Sequence, residues 1–108
     1  MIRFVVALLL LSATAHAEPA RFEVTIKGHK FEPAELRVPA GSAFVIAVKN
    51  EDPTAEEFES QTMGVEKVIP GGRSLQVRIR PLDPGQYPFE GEYNNTTARG
   101  VVIVEAAR

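Results

Sequence analysis

Apolar and polar residues alternate in short runs along this chain, and Pro and Gly separate the runs. Phe22 to Ile26 (FEVTI) and Ala34 to Val38 (AELRV) both alternate, the period of a half-buried strand. Ala43 to Asn50 (AFVIAVKN) is more continuously apolar and predicts a more deeply buried strand. Glu66 to Ile69 (EKVI) is short and stops at Pro70-Gly71-Gly72. Ser74 to Leu82 (SLQVRIRPL) puts Leu75, Val77 and Ile79 on one face and Gln76, Arg78 and Arg80 on the other. After the turn Asp83-Pro84-Gly85, Gln86 to Phe89 (QYPF) and Val101 to Glu105 (VVIVE) complete the set. No segment sustains a helical period. About seven strands at this spacing predict an all-β sandwich with Greek-key connections. The exception is Glu51 to Ser60 (EDPTAEEFES), where Thr54 followed by Glu57 matches a capping box and predicts a short helical turn over 54–60.

The beginning of the chain changes the parse. Arg3, the apolar run Phe4 to Leu11 and the small-residue site Ala15-His16-Ala17 read as a secretory signal peptide over residues 1–17, cleaved after Ala17. One domain over 18–108 remains, and no other run is apolar and long enough to cross a bilayer. The expected location is the periplasm, without membrane insertion after cleavage. The chain has 108 residues and no cysteine, so it is held by its core alone. The same absence excludes thiolate nucleophiles, iron–sulfur clusters and thiolate metal sites. A formal charge of −2 with no basic patch argues against a nucleic-acid partner. His29 has no acid–nucleophile pattern around it, so no hydrolase triad is read, and there is no organic-cofactor motif.

Three pieces combine into a frame. Phe31 to Gly41 reads F-x-P-x-x-L-x-V-x-x-G and leads into the strand ending at Asn50. Gly85 to Phe89 reads G-x-Y-x-F, and Ala98 to Glu105 (ARGVVIVE) closes the set. This order resembles the cupredoxin family over essentially the whole mature chain. Ala55 to Ser60 (AEEFES) with EKVI resembles its EfeO-type branch, which lacks the blue-copper cysteine and accompanies iron permeases in bacterial periplasmic iron uptake. The resemblance implies a cupredoxin-like Greek-key sandwich. It places the blue-copper ligands near Glu57 (first histidine), Gly91 (cysteine), Asn94 (second histidine) and Ala98 or Arg99 (methionine). None of those residue types stands there. A blue site needs a thiolate, two imidazoles and a weak axial ligand, so no type 1 copper site is expected. The acidic–aromatic pair Glu92-Tyr93, which a histidine often follows in that branch, is followed here by Asn94.

What remains is oxygen-rich. Glu57 and Glu59 lie on one loop, Glu90 and Glu92 on the other, and the implied fold brings both loops to one end of the sandwich. Carboxylates suit hard ions such as ferric iron and also bind cupric copper. His29 and Met63 are further candidate ligands that would extend the site towards copper. Each has a plainer alternative. Glu57 completes a capping box, and Glu59 is a solvated face. Glu90 and Glu92 share a strand face and guard an exposed edge. His29 sits in a turn, and Met63 fills a core gap. The two N-x-T sequons in Asn94 to Thr97 read as turn chemistry, and Arg78, Arg80 and Arg99 as partners of surface acids or as a docking rim for a partner.

The resemblance therefore implies a periplasmic metal-binding or redox accessory protein of bacterial iron uptake. It would hold copper or iron and act with a membrane iron permease and a periplasmic iron-binding protein. Oxidation of ferrous iron would need an electron acceptor, so any enzymatic activity would belong to a complex. Two alternatives are a metal-free sandwich that binds a partner and a general periplasmic copper-binding protein.

Overall fold

The computed structural model describes residues 2–5, 7 and 18–106. The leader expected over 1–17 and its cleavage point lie, apart from 2–5 and 7, outside the described residues. Within them the chain forms nine strands and one short 3₁₀ turn. The strands are β1 (Ala20–Lys27), β2 (Lys30–Glu32), β3 (Glu35–Pro39), β4 (Phe44–Asn50), β5 (Glu56–Ser60), β6 (Val65–Ile69), β7 (Ser74–Ile79), β8 (Gly85–Gly91) and β9 (Arg99–Glu105). The turn is Glu92–Asn94.

One sheet has the order β2-β1-β4-β7 and the other β3-β9-β8-β5-β6. Two pairs, β1 with β4 and β3 with β9, are parallel, so the chain crosses between the sheets in making them. Alternation decides what faces inward. Val24 and Ile26 of β1, Leu36 and Val38 of β3, and Val77 and Ile79 of β7 are buried, as their period of two requires. In β4, flanked on both sides by strands, Phe44 to Val48 are all buried. Phe31, Phe58 and Phe89 form the aromatic centre of the core. Phe89 lies 5.0 Å from each of the other two rings, edge-on to Phe31 and stacked on Phe58.

Strand β5 corrects the helical turn expected over 54–60. The capping-box spacing is present, but Phe58 reaches the core only if the segment is extended. Period two then turns Glu56, Phe58 and Ser60 inward together. Asn50 fixes the approach to this strand. Its side-chain amide donates to Thr54 O (2.9 Å) and Ile69 O (3.0 Å), and its Oδ1 accepts from Asp52 N (3.0 Å). Asp52 in turn caps the tight β1–β2 hairpin. Gly28 and His29 have φ of 59° and 57°, the left-handed pair a two-residue primed turn needs. Their N–H groups donate to the Asp52 carboxylate at 2.8 and 2.9 Å. The His29 N–H is the main cause holding the Asp52 carboxyl below its usual range.

Candidate metal centre

Strand β5 carries carboxylates on both faces. Glu57 and Glu59 point away from the core, and the register sets Glu66 of β6 and Glu90 of β8 directly opposite Glu59. Directly paired residues share a face, so these acids gather on the outside of the five-stranded sheet. Strand β8 ends at Gly91, and Glu92 opens the 3₁₀ turn. Glu90 and Glu92 therefore do not share a strand face, contrary to the alternation in the sequence. The turn instead brings Glu92 back towards β5. One carboxylate oxygen each from Glu57, Glu66 and Glu92 lie within 4.8 Å of one another. Glu57 is only 9% exposed, and its buried Oε1 has no hydrogen-bond partner.

The crowding is visible in proton affinity. Glu57 is raised above the ordinary carboxyl range by its contact with the Glu66 carboxyl, then by burial, then by the charges of Glu66 and Glu92. The Tyr93 hydroxyl acts in the opposite direction. Glu59 is pushed up to about 7, chiefly by its contact with the Glu92 carboxyl, then by burial and the neighbouring charges. The ion pairs among the described residues join Arg21 to Glu23, Arg37 to Glu35 and Glu105, and Lys49 to Glu51. None of them compensates this face. Converging carboxylates with an unpartnered oxygen could hold a hard cation.

On the inner side, Glu56 is 1% exposed and fully hydrogen-bonded. Its Oε1 accepts from Glu57 N (3.0 Å) and Tyr93 N (2.9 Å), and its Oε2 accepts from Asn94 Nδ2 (2.7 Å). Gly91 and Ala98 close around it, with Gly91 N donating to Ala98 O at 2.9 Å. A Cβ at Gly91 would lie 2.6 Å from Glu56 Cδ and 2.7 Å from Ala98 Cβ. The positions that the resemblance assigns to sulfur and imidazole thus converge, but on an internal carboxylate. It is Glu56, not Glu57, that faces them. A blue-copper ion does not fit these residues.

The other candidates lie apart from the carboxylate group. His29 is exposed on the hairpin turn and does not belong to that group. Met63 is 2% exposed in the core, where its N–H donates to Ser60 Oγ at 3.2 Å. Glu90 shares with Glu59 and Arg99 the lining of an open cleft of about 290 Å³, beside the point where the β5–β8 ladder ends. The structure brings together Glu57, Glu59 and Glu92 of the sequence candidates and adds Glu66 and Glu56. A signal for Glu66 existed. Reading EEFES and VEKVI as arms of a hairpin around Gln61 to Gly64 pairs Glu59 with Glu66.

Residues 1–104 match the protein family described as "Cupredoxin-like domain". The chain belongs to that family. A relative of this cupredoxin-like domain is the uncharacterised protein RP394 of Rickettsia prowazekii (strain Madrid E), 38% identical over 82 residues. That match spans 76% of this chain and 66% of the relative. Among solved structures, the metal-binding domain of the Cu(I)-exporting P-type ATPase CopA of Streptococcus pneumoniae, with Cu(I), superposes with a TM-score of 0.70. It is 16% identical, over 79% of this chain and 84% of that one. Auracyanin A, a "blue" copper protein of Chloroflexus aurantiacus, gives 0.66 at 17% identity, over 82% of this chain and 100% of its own. At such identities the likeness is one of fold. Among the described residues of the cupredoxin-like domain, no helix is long and apolar enough to cross a membrane.

Proposed function

We propose that the outer glutamate face binds a hard metal cation. On this reading the protein is a periplasmic metal-binding accessory of bacterial iron uptake, working beside a membrane iron permease and a periplasmic iron-binding protein. The observation that carries the reading is the unpartnered Oε1 of nine-tenths-buried Glu57 amid three carboxylates that share a 4.8 Å neighbourhood. A buried carboxylate oxygen with no donor is unfavourable, and a cation supplies the missing partner. Glu57, Glu66 and Glu92 would hold the ion, with Glu59 beside them. Oxygen donors favour iron, ferric above all, and admit cupric copper. Within the acid-rich segment AEEFES and EKVI, which supports the iron-uptake assignment, lie Glu57, Glu59 and Glu66.

Titration with ferrous ion under anaerobic conditions, ferric ion supplied as citrate, and cupric ion tests this. Iron is expected to bind tighter than millimolar, and Glu57→Gln or Glu66→Gln to weaken it at least about tenfold. Weaker binding of all three ions, or indifference to Glu57→Gln, would overturn the assignment. His29→Ala separates a general copper carrier, which would lose cupric affinity, from an oxygen-only site, which would not. A melting temperature unmoved by any ion would favour a metal-free, partner-binding sandwich.

A further inference from the structure

Resting on that reading of the glutamate face, we infer that Glu56 is its positioning residue. Its buried carboxylate ties the strand carrying Glu57 to the turn carrying Glu92, and so sets the spacing of the two ligands.

The backbone alone does not set it. Pairing between β5 and β8 consists of Phe58 with Gly91 and Glu59 with Glu90. Beyond Gly91 no ladder joins the 3₁₀ turn to the start of β5. The backbone bonds of that loop are internal: Gly91 N to Ala98 O, Thr97 N to Asn94 O and Ala98 N to Asn94 O. Glu56 spans the gap. One oxygen accepts the N–H of Glu57 and the N–H of Tyr93, the residue after Glu92, while the other accepts the Asn94 amide. Both ligand-bearing backbones are thereby referred to one planar group whose position is fixed by burial in the core. Carboxylate chemistry suits the task, because its two oxygens can each accept and three donors converge here. Gly91 completes the arrangement, since any side chain there would displace the Glu56 carboxyl.

Charge and position can be separated by substitution. Glu56→Gln keeps one oxygen for the two N–H groups, and its amide nitrogen is matched if the Asn94 amide turns over to present Oδ1. Glu56→Ala removes all three bonds. In full-length mature protein titrated with ferric citrate, Glu56→Ala is expected to lose about 10- to 100-fold in affinity, as supporting partners of metal ligands do. Glu56→Gln should stay near wild type. Asn94→Ala, which removes one bond, should lose affinity in the same direction but less, and it keeps the test alive if Glu56→Ala does not fold. Asp52→Asn is the control for destabilisation without repositioning, and its affinity should not change.

A second readout needs no metal. The amide protons of Tyr93 and Glu57 should exchange with solvent faster in Asn94→Ala and Glu56→Ala than in wild type. Wild-type affinity in both Asn94→Ala and Glu56→Ala would overturn the inference, as would unchanged exchange at Tyr93 or a loss in Glu56→Gln equal to that in Glu56→Ala. Failure of the wild-type protein to bind iron is a different result. It removes the metal reading, while the exchange data still decide whether Glu56 ties the two segments.

Discussion

Glu59 and Asp52 respond to pH in opposite ways. The Glu59 carboxyl holds its proton up to about 7 in the folded chain, against an ordinary value of 4.5. Between those values the folded state binds more protons than the unfolded one. The contribution of this group is therefore complete below about 4.5 and lost as pH rises towards 7. The melting temperature of the metal-free protein should fall over that interval, and Glu59→Gln should flatten the profile. A wild-type profile already flat would contradict the Glu59–Glu92 contact. Asp52 is held below its usual 3.8, so its contribution is present above that pH and lost on further acidification. Asp52→Asn should lower the melting temperature at neutral pH and reduce sensitivity to acid, measured by circular dichroism. The cause is that Asn keeps one acceptor oxygen and turns an NH2 donor towards the other of the two turn N–H groups.

Strand β5 links the core to the outer glutamate face, and Phe58 is its anchor. Wholly buried and stacked on Phe89, it should cost about 3–5 kcal/mol on replacement by Ala in chemical denaturation. The strands with clean alternation, such as β3 and β7, were legible in the sequence because their inward residues are all apolar. Strand β5 was not, because Glu56 and Ser60 occupy inward positions next to Phe58 and a capping-box spacing overlies them. An inward glutamate reads as surface until its three donors are known, and these come from Glu57, Tyr93 and Asn94. Strand β2 was missed because three residues are too few to show a period. In the centre, Glu57, Glu59 and Glu92 were visible as acids in the expected loops. Glu66 joins them only through the β5–β6 register, a property of the pairing and not of either segment alone.

At the scale of the molecule, like charge is concentrated on a face that no ion pair among the described residues joins, with Arg99 at the rim of the adjoining cleft. Raising monovalent salt should therefore raise the melting temperature of the metal-free protein, by screening the repulsion among Glu57, Glu59, Glu66 and Glu92. Bound iron should do the same more strongly and specifically. At a free concentration about 100 times Kd the stabilisation is about 2.7 kcal/mol, which for a domain this small amounts to more than about 10 °C. Scanning calorimetry with and without ferric citrate measures both effects. A salt response that persists undiminished after Glu57→Gln and Glu59→Gln together would place the repulsion elsewhere.

Gly91 makes descent from, or return to, a thiolate copper protein a matter of paired changes. Cysteine introduced there alone would press its Cβ into the Glu56 carboxyl and the Ala98 methyl. Shortening Glu56 alone would take the acceptor from the buried Glu57 N–H and from the half-buried donors of Tyr93 and Asn94. Either first step costs stability and gains no ligand set. Selection acting one substitution at a time thus meets a valley between the two chemistries, and a laboratory attempt to recolour this scaffold blue must rebuild positions 56 and 91 together.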